Sequence, residues 1–244
     1  MDFALIQTPI HELTLTLYII GVQMGLYLIF SYLYIKLQPQ ENEHIHTHFL
    51  RIPHLHYTLN KYIELVAKAN IRRKTFLILL SFDFLMTTII ASIWGKTLGH
   101  TIFTFICGSI VFSGIHYADS TADVRPTLTT YQWSPIKEVG ALIIFYAISL
   151  SPIAIINLVF HENMNTYIIA LNLYITAGIL SFVFPSTTSN AHETISTILL
   201  IISLIFFAVL SYKFIWSLPL LTPALIAMLT YLVKEETQKG LSRI

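Results

Sequence analysis

Residues 194–233 read TISTILLIISLIFFAVLSYKFIWSLPLLTPALIAMLTYLV and contain one charged side chain, Lys213. A helix needs about 20 apolar residues to cross the hydrocarbon core of a bilayer, so one continuous helix of this length would overshoot any membrane. Lys213 and the segment Trp216-Ser217-Leu218-Pro219 interrupt the run near its middle. We therefore expect two spans, 194–212 and 214–233, joined by a tight turn, in preference to one long bent unit.

Five more apolar stretches of similar length precede this pair. They are 13–35, 75–94, 101–118, 139–160 and 167–185. Of the 244 residues, 55% are hydrophobic and 11% are charged, whereas soluble domains carry about 25% charged residues. The sequence predicts an all-α, polytopic membrane helix bundle of about seven spans, formed by one integral membrane domain over residues 1–244. Asp2 and Glu12, with no basic segment before the first span, argue against a cleavable signal peptide.

Lysine and arginine fall almost entirely on one side if these stretches cross the membrane in turn. Twelve lie in the loops of that side: Lys36, Arg51, Lys61, Lys68, Arg72, Arg73, Lys74, Arg125, Lys137, Lys234, Lys239 and Arg243. The other side has Lys96 and Lys213. Because cytoplasmic loops carry the excess of Lys and Arg, the bias predicts an outside N-terminus and a cytoplasmic C-terminus. The formal net charge of +1 gives no reason to expect a nucleic acid partner.

The longest loop, residues 36–74, contains five closely spaced histidines: His44, His46, His48, His54 and His56. Alternating imidazoles can chelate Zn²⁺, Cu²⁺ or Ni²⁺. The fixed spacing of a structural zinc site is absent, so a mobile polar loop with weak metal affinity is the simpler interpretation. A pH-responsive loop is a further alternative.

Residues 57–74, the second half of this loop, have the periodicity of a helix. The apolar residues Leu59, Tyr62, Ile63 and Val66 share one face, and charged residues lie elsewhere. The basic run 72–74 ends the segment directly before the span 75–94. This pattern predicts an amphipathic helix that lies in the headgroup plane.

Two carboxylates, Asp119 and Asp123, stand one helical turn apart at the cytoplasmic end of the span 101–118. Side chains four residues apart share a helix face, so these like charges repel unless a cation lies between them. Mg²⁺ bound by one or two carboxylates commonly bridges to substrate phosphates, which Arg125 could also contact. A solvated helix end with a salt bridge from Asp123 to Arg125 is the alternative.

Asp83 is the one acidic residue deep inside a predicted span. An ionisable group at that depth is costly and is typical of function. Asp83 could relay a proton, bind a cation, or remain neutral and hydrogen-bonded to Ser81, Thr87 or another helix.

The order of these features resembles the UbiA-type polyprenyl transferases. Residues 115–123, Ile-His-Tyr-Ala-Asp-Ser-Thr-Ala-Asp, are similar to the family's first signature, Asn-Asp-x-x-Asp-x-x-x-Asp, without its first two positions. Arg125-Pro126 follows, and residues 134–138 begin the next helix. Four helices later, on the same side, Tyr231-Leu232-Val233-Lys234-Glu235-Glu236 stands where the family has its second acidic motif.

This resemblance implies a membrane enzyme that moves a prenyl group from its diphosphate to an acceptor, with Mg²⁺ as cofactor. Asp119, Asp123, Arg125 and Glu235 would then bind the diphosphate, the two aspartates through the metal. The chain departs from the family pattern because His116 replaces a motif aspartate and glutamates replace the aspartates of the second motif. Three further helices of the family have no counterpart here. Catalysis therefore stays open.

Two other functions fit the sequence. A proton- or cation-coupled transporter would use Asp83, a few polar residues inside the spans, and the helix-breaking prolines Pro152, Pro219 and Pro223. A non-catalytic membrane subunit, in a larger complex or a homo-oligomer, would use its spans for contact with lipids and partner helices. The small residues at 108–109 and 113–114 would allow one close helix approach.

Overall fold

The structure, a computed structural model, describes residues 21, 24–25, 27–33, 57–71, 74–93, 106, 108–122, 124–125, 128, 133–159, 164–185, 190–214 and 216–241. The elements in these ranges are all helical, as the composition predicts. Within the described ranges, three helices are long and apolar enough to cross a membrane, namely Asn165–Val183, Ala191–Leu210 and Ser217–Lys239. They coincide with the last three predicted spans, so the chain has the all-helical fold of a membrane protein.

The helices are numbered here in chain order. They are α1 (Tyr57–Ile71), α2 (Lys74–Ile93), a 3₁₀ segment (Ser109–His116), α3 (Tyr117–Thr121), α4 (Pro135–Ser149), α5 (Ser151–Val159), α6 (Asn165–Val183), α7 (Asn190–Lys213) and α8 (Ser217–Leu241). Residues 27–33 are helical as well and belong to the first predicted span. The five loop histidines, at 44, 46, 48, 54 and 56, lie outside the described residues, and so does Asp123.

The predicted span 139–160 is divided into two helices, α4 and α5. α4 begins at Pro135, a position where the missing N–H of proline has no intrahelical partner to lose. It ends at Leu150, whose backbone (φ −90°, ψ 3°) leaves the α-helical region. Pro152 is the cause, because its ring and missing N–H disfavour a continuous helix through this point.

The long apolar run 194–233 forms two helices, as predicted. α7 ends at Lys213 and α8 begins at Ser217. The Ser217 backbone N–H and its hydroxyl both donate to the Phe214 carbonyl oxygen, at 2.9 and 2.7 Å, and close the turn. Pro223 lies inside α8.

α6 lies at the centre of the bundle, where it packs against the 3₁₀ segment and helices α3, α4, α5, α7 and α8. Half of the residues in the apolar part of α6 are buried, against 17% of those in α7 and in α8. The outward side of α7 exposes large apolar side chains, among them Ile202, Ile205 and Phe206. An exposed apolar face of this size suits lipid contact.

α1 forms where the periodicity predicts a helix. It packs mainly against α4, with Tyr62, Val66 and Ile71 buried. Its Glu64 is also buried and pairs with Lys68 one turn later. The position of α1 in the headgroup plane stays a prediction.

Candidate functional site

Asp83 is buried on α2 and hydrogen-bonded to a neighbouring segment. Its side chain is 5% exposed. The Ser109 hydroxyl, on the 3₁₀ segment, donates to Asp83 Oδ1 at 2.6 Å. This short distance is typical of a hydroxyl bonded to a carboxylate. The donor across the helix interface offsets part of the cost of a carboxyl group in an apolar interior.

A set of buried hydroxyl groups lies next to this pair. The Ser113 and Tyr174 oxygens are 2.7 Å apart, and the Ser113 hydroxyl also lies 2.7 Å from the Ile110 carbonyl oxygen. Because a serine hydroxyl has one proton and a carbonyl only accepts, Ser113 donates to Ile110 and Tyr174 donates to Ser113. Ser149 and Asp83 both lie near enough to the Tyr174 hydroxyl to influence it electrostatically.

Glycine and aromatic stacking position Tyr174. A Cβ atom on Gly114 would lie 2.9 Å from the Tyr174 ring and 2.9 Å from Ala177 Cβ, so only glycine allows this approach. The Tyr146 ring stacks on the Tyr174 ring, with ring centroids 3.7 Å apart and planes inclined by 13°. Close packing against both Gly114 and Tyr146 therefore positions the Tyr174 ring.

Two interruptions of regular helix flank the same region. The segment carrying Ser109 and Ser113 is 3₁₀ rather than α-helical over Ser109–His116. Ser149 immediately precedes the break between α4 and α5 at Leu150. A 3₁₀ stretch within a long helix often marks a hinge, and broken helices in membranes are tolerated where they line an internal site. We call Asp83, Ser109, Ser113, Ser149 and Tyr174 the Asp83 cluster.

A second polar group lies at one end of the bundle, around Glu138. Arg125 Nη2 donates to Glu138 Oε1 at 2.7 Å, and Arg125 Nη1 donates to Oε2 at 3.1 Å. Tyr117 donates to Oε1 at 2.8 Å, and the Trp133 indole donates to Oε2 at 2.7 Å. Glu138 has no solvent exposure, so this carboxylate is an anion with a full set of donors.

Arg125 connects this group to α3, α6 and α8. Its guanidinium also donates to the hydroxyls of Thr121 and Thr237, at 3.2 and 3.3 Å, and lies 5.3 Å from the centre of the Phe182 ring. The arginine is thus engaged with protein groups. Its terminal nitrogens link the ends of several helices by hydrogen bonds, and in this arrangement they are not free to bind a phosphate.

The remaining residues predicted to bind a diphosphate are placed as follows. Asp119 is buried on α3. Glu235 is half-exposed on α8 and forms an ion pair with Lys239 at 2.9 Å. Two residues further along, Thr237 faces Arg125. Since positions two apart on a helix point in nearly opposite directions, Glu235 faces away from Arg125.

Among the described residues no group of three or more His, Cys, Asp or Glu side chains could hold a metal ion. The predicted Mg²⁺ ligand pair includes Asp123, which lies outside them, and the five loop histidines also lie outside them. Both metal sites therefore stay predictions. His116, which replaces a motif aspartate, has its Nε2 atom 3.8 Å from Glu193 Oε1.

The sequence pointed to Asp83 but not to its partners. Ser109 and Ser113 stood out only as small residues, and Tyr174, Ser149 and Glu138 did not stand out. The partners of Asp83 could have been sought in the sequence, because a buried carboxyl needs a nearby hydrogen-bond donor. A hydroxyl residue in the next span is a candidate donor.

Comparison with known proteins gives no relative. No protein-family model matches the chain, and neither the curated proteins nor the solved structures contain a match. The resemblance to the UbiA-type enzymes stays a prediction from the residues that carry it.

Proposed function

We propose that this chain is an integral, multi-pass membrane transporter in which Asp83 binds the coupling ion, a proton or a cation. The observation that carries this proposal is the Asp83 cluster, a buried carboxyl and hydroxyl set between two interrupted helices. Transporters commonly place their ion and substrate sites near the bilayer midplane, at discontinuous helices. Asp83 lies near the middle of α2 and Tyr174 near the middle of α6, which is where such a site belongs.

Seven spans and a cytoplasmic C-terminus are part of the proposal. Groups that the charge bias assigns to the inner side meet at one end of the bundle, where Arg125 contacts Glu138, Phe182 and Thr237. Groups assigned to the outer ends of their spans meet elsewhere. Asn157 donates to Thr166 at 2.7 Å, and Asn172 donates to the Leu218 carbonyl oxygen at 3.3 Å. These pairings support the predicted alternation of the spans.

The chemistry follows from the cost of a charge in an apolar interior. Ionised, Asp83 has one donor among the described residues, Ser109, and is unfavourable at mid-depth. Neutralised by a bound ion, it is compatible with close packing of α2 against the 3₁₀ segment. Ion binding therefore shifts the balance between two packing arrangements, which is what coupling requires.

A current measurement tests the proposal. Proteoliposomes adsorbed on a solid-supported membrane receive a pH jump, and the transient current reports charge entering the protein. We expect a current that Asp83→Asn abolishes. Glu193→Gln removes an exposed carboxylate outside the cluster and serves as the control with wild-type current. An undiminished current in Asp83→Asn would contradict the proposal.

One observation favours the lipid-transferase alternative. The bond from Arg125 to Thr237 brings the end of α8, with Glu235, beside the helix end that carries Asp119. The two segments that resemble the UbiA motifs are therefore neighbours in the bundle, although the Glu235 side chain faces away from Arg125 and pairs with Lys239. Incubation of the purified chain with Mg²⁺ and a labelled prenyl diphosphate tests this alternative. Turnover that Asp119→Ala abolishes would support it, and unchanged binding in Asp119→Ala would remove it.

A further inference from the structure

We infer that the ion bound by Asp83 is a proton and not a metal cation. This inference rests on the proposed function and specifies its ion. It is drawn from the short oxygen–oxygen contacts in which the hydroxyl protons of the Asp83 cluster lie, and from the groups that surround the carboxyl.

A metal ion needs several oxygen atoms with lone pairs directed at it, about six or more for the hard divalent cations. In the Asp83 cluster, the hydroxyl groups are instead hydrogen-bonded to the carboxyl, to each other and to carbonyl oxygens. Ser109 points its proton at Asp83 Oδ1, and the Ser113 oxygen already accepts the Tyr174 proton. The Ser149 hydroxyl lies 2.9 Å from the Phe145 carbonyl oxygen, to which it donates. Each hydroxyl oxygen keeps lone pairs, but these oxygen–oxygen contacts of 2.6–2.9 Å hold protons and leave no room for a metal ion between the two oxygens. Asp83 is the one anionic ligand among the described residues of the cluster.

The surrounding charged and titratable groups do not complete a cation site. The 3₁₀ segment carries His116, whose Nε2 lies 3.8 Å from Glu193. α1 also packs on α2, and its Glu64 and Lys68 pair with each other. Tyr174 is the group of α6 that interacts with Asp83. No second carboxylate among the described residues joins Asp83.

A proton fits this arrangement without further ligands. When it binds, an O–H bond forms on Asp83 Oδ2, the carboxylate loses its charge, and Oδ1 continues to accept the Ser109 hydroxyl. On release the same O–H bond breaks and a water molecule takes up the proton as hydronium. The protonated carboxyl keeps the Ser109 bond at Oδ1, whereas the ionised carboxylate disfavours the close packing of α2 against the 3₁₀ segment.

Infrared spectroscopy of the full chain, purified in detergent, tests the inference. A pH titration follows the carboxylic acid C=O band that Asp83→Asn lacks, in choline chloride and then in chlorides of Na⁺, K⁺ or Mg²⁺ at equal ionic strength. A cation that competed for Asp83 at ten times its Kd would lower the titration midpoint by about one pH unit. We expect the same midpoint in all four salts, and we expect Glu193→Gln to retain the band.

A cation-dependent shift of the midpoint would overturn the inference, and so would the absence of any band that depends on Asp83. Different results would contradict the proposed transporter function and the inference that its ion is a proton. A cation shift together with a current that needs Asp83 would leave a transporter coupled to a metal cation. A current that does not need Asp83 would remove the proposed function, whatever the infrared result.

Discussion

Glu138 is the residue on which one end of the bundle depends. Its two oxygens accept four donors, from Tyr117, Trp133 and both terminal nitrogens of Arg125. Removal of its charge would leave the buried Arg125 guanidinium without its counter-ion among the described residues. We expect Glu138→Gln to lower the free energy of unfolding by about 3–5 kcal/mol. Thermal unfolding in mild detergent measures the loss.

Glu235→Gln is the matched control for this prediction. Glu235 pairs with Lys239 at the surface, and exposed pairs contribute about 0–1 kcal/mol. Equal unfolding temperatures for the two variants would show that the buried pair does not stabilise the bundle.

Two buried tyrosines allow a second comparison by removal of a single hydroxyl. Tyr117 donates to Glu138, whereas the Tyr146 hydroxyl has no hydrogen-bond partner among the described residues. Tyr117→Phe removes one of the two hydrogen bonds that Glu138 Oε1 accepts and should destabilise by about 1–3 kcal/mol. Tyr146→Phe keeps the stack on Tyr174 and should be neutral or stabilising. Thermal unfolding in mild detergent measures both variants. A larger loss of stability in Tyr146→Phe than in Tyr117→Phe would contradict the assigned contacts.

At this scale the sequence identified Asp83 as a carboxyl inside an apolar run but did not identify Glu138 as a partner of Arg125. A carboxyl in an apolar run is visible without a structure, because the apolar residues that flank it stand beside it in the sequence. The partner of Arg125 is not visible in the same way. Glu138 is thirteen residues away, and the path of the chain between them decides whether they meet.

At the scale of helices, close approach between the 3₁₀ segment and α6 positions the Asp83 cluster. A Cβ on Gly114 would collide with Tyr174 and Ala177 at 2.9 Å. We expect Gly114→Ala to cost about 1–3 kcal/mol through overpacking and to weaken the pH-jump current by displacing Tyr174.

Gly108 provides the control within the same part of the chain. A Cβ there meets nothing within 4 Å, so Gly108→Ala should be neutral or slightly stabilising. Unfolding temperatures and currents of the two variants check the prediction. If Gly114→Ala behaved like Gly108→Ala, the approach to Tyr174 would not be as close as described.

Hydropathy predicted the last three long helices because a span needs little besides length and apolar composition. It did not predict the division between α4 and α5 or the 3₁₀ geometry of Ser109–His116. Pro152 was a signal for the first. The second has no comparable signal, since 3₁₀ and α geometry differ by small backbone changes that packing decides.

At the scale of the whole molecule, the contacts define two ends. Arg125, Glu138 and Thr237 mark one end, and Asn157 with Thr166 marks the other. The exposed apolar side of α7 lies between these two ends of the bundle and suits contact with lipid. Asp83 and Tyr174, near the middle of their helices, would then lie at mid-depth.

Cysteine accessibility in intact cells measures this arrangement most directly. Cys107, the single cysteine of the sequence, is replaced by serine, and one cysteine is placed at the exposed residue Lys137, Met164, Trp216 or Gln238. We expect a membrane-impermeant maleimide to label the cysteines at 164 and 216 from outside, and those at 137 and 238 only after permeabilisation. Labelling of 137 and 164 from the same side would contradict it, because the chain would then not cross the membrane between them.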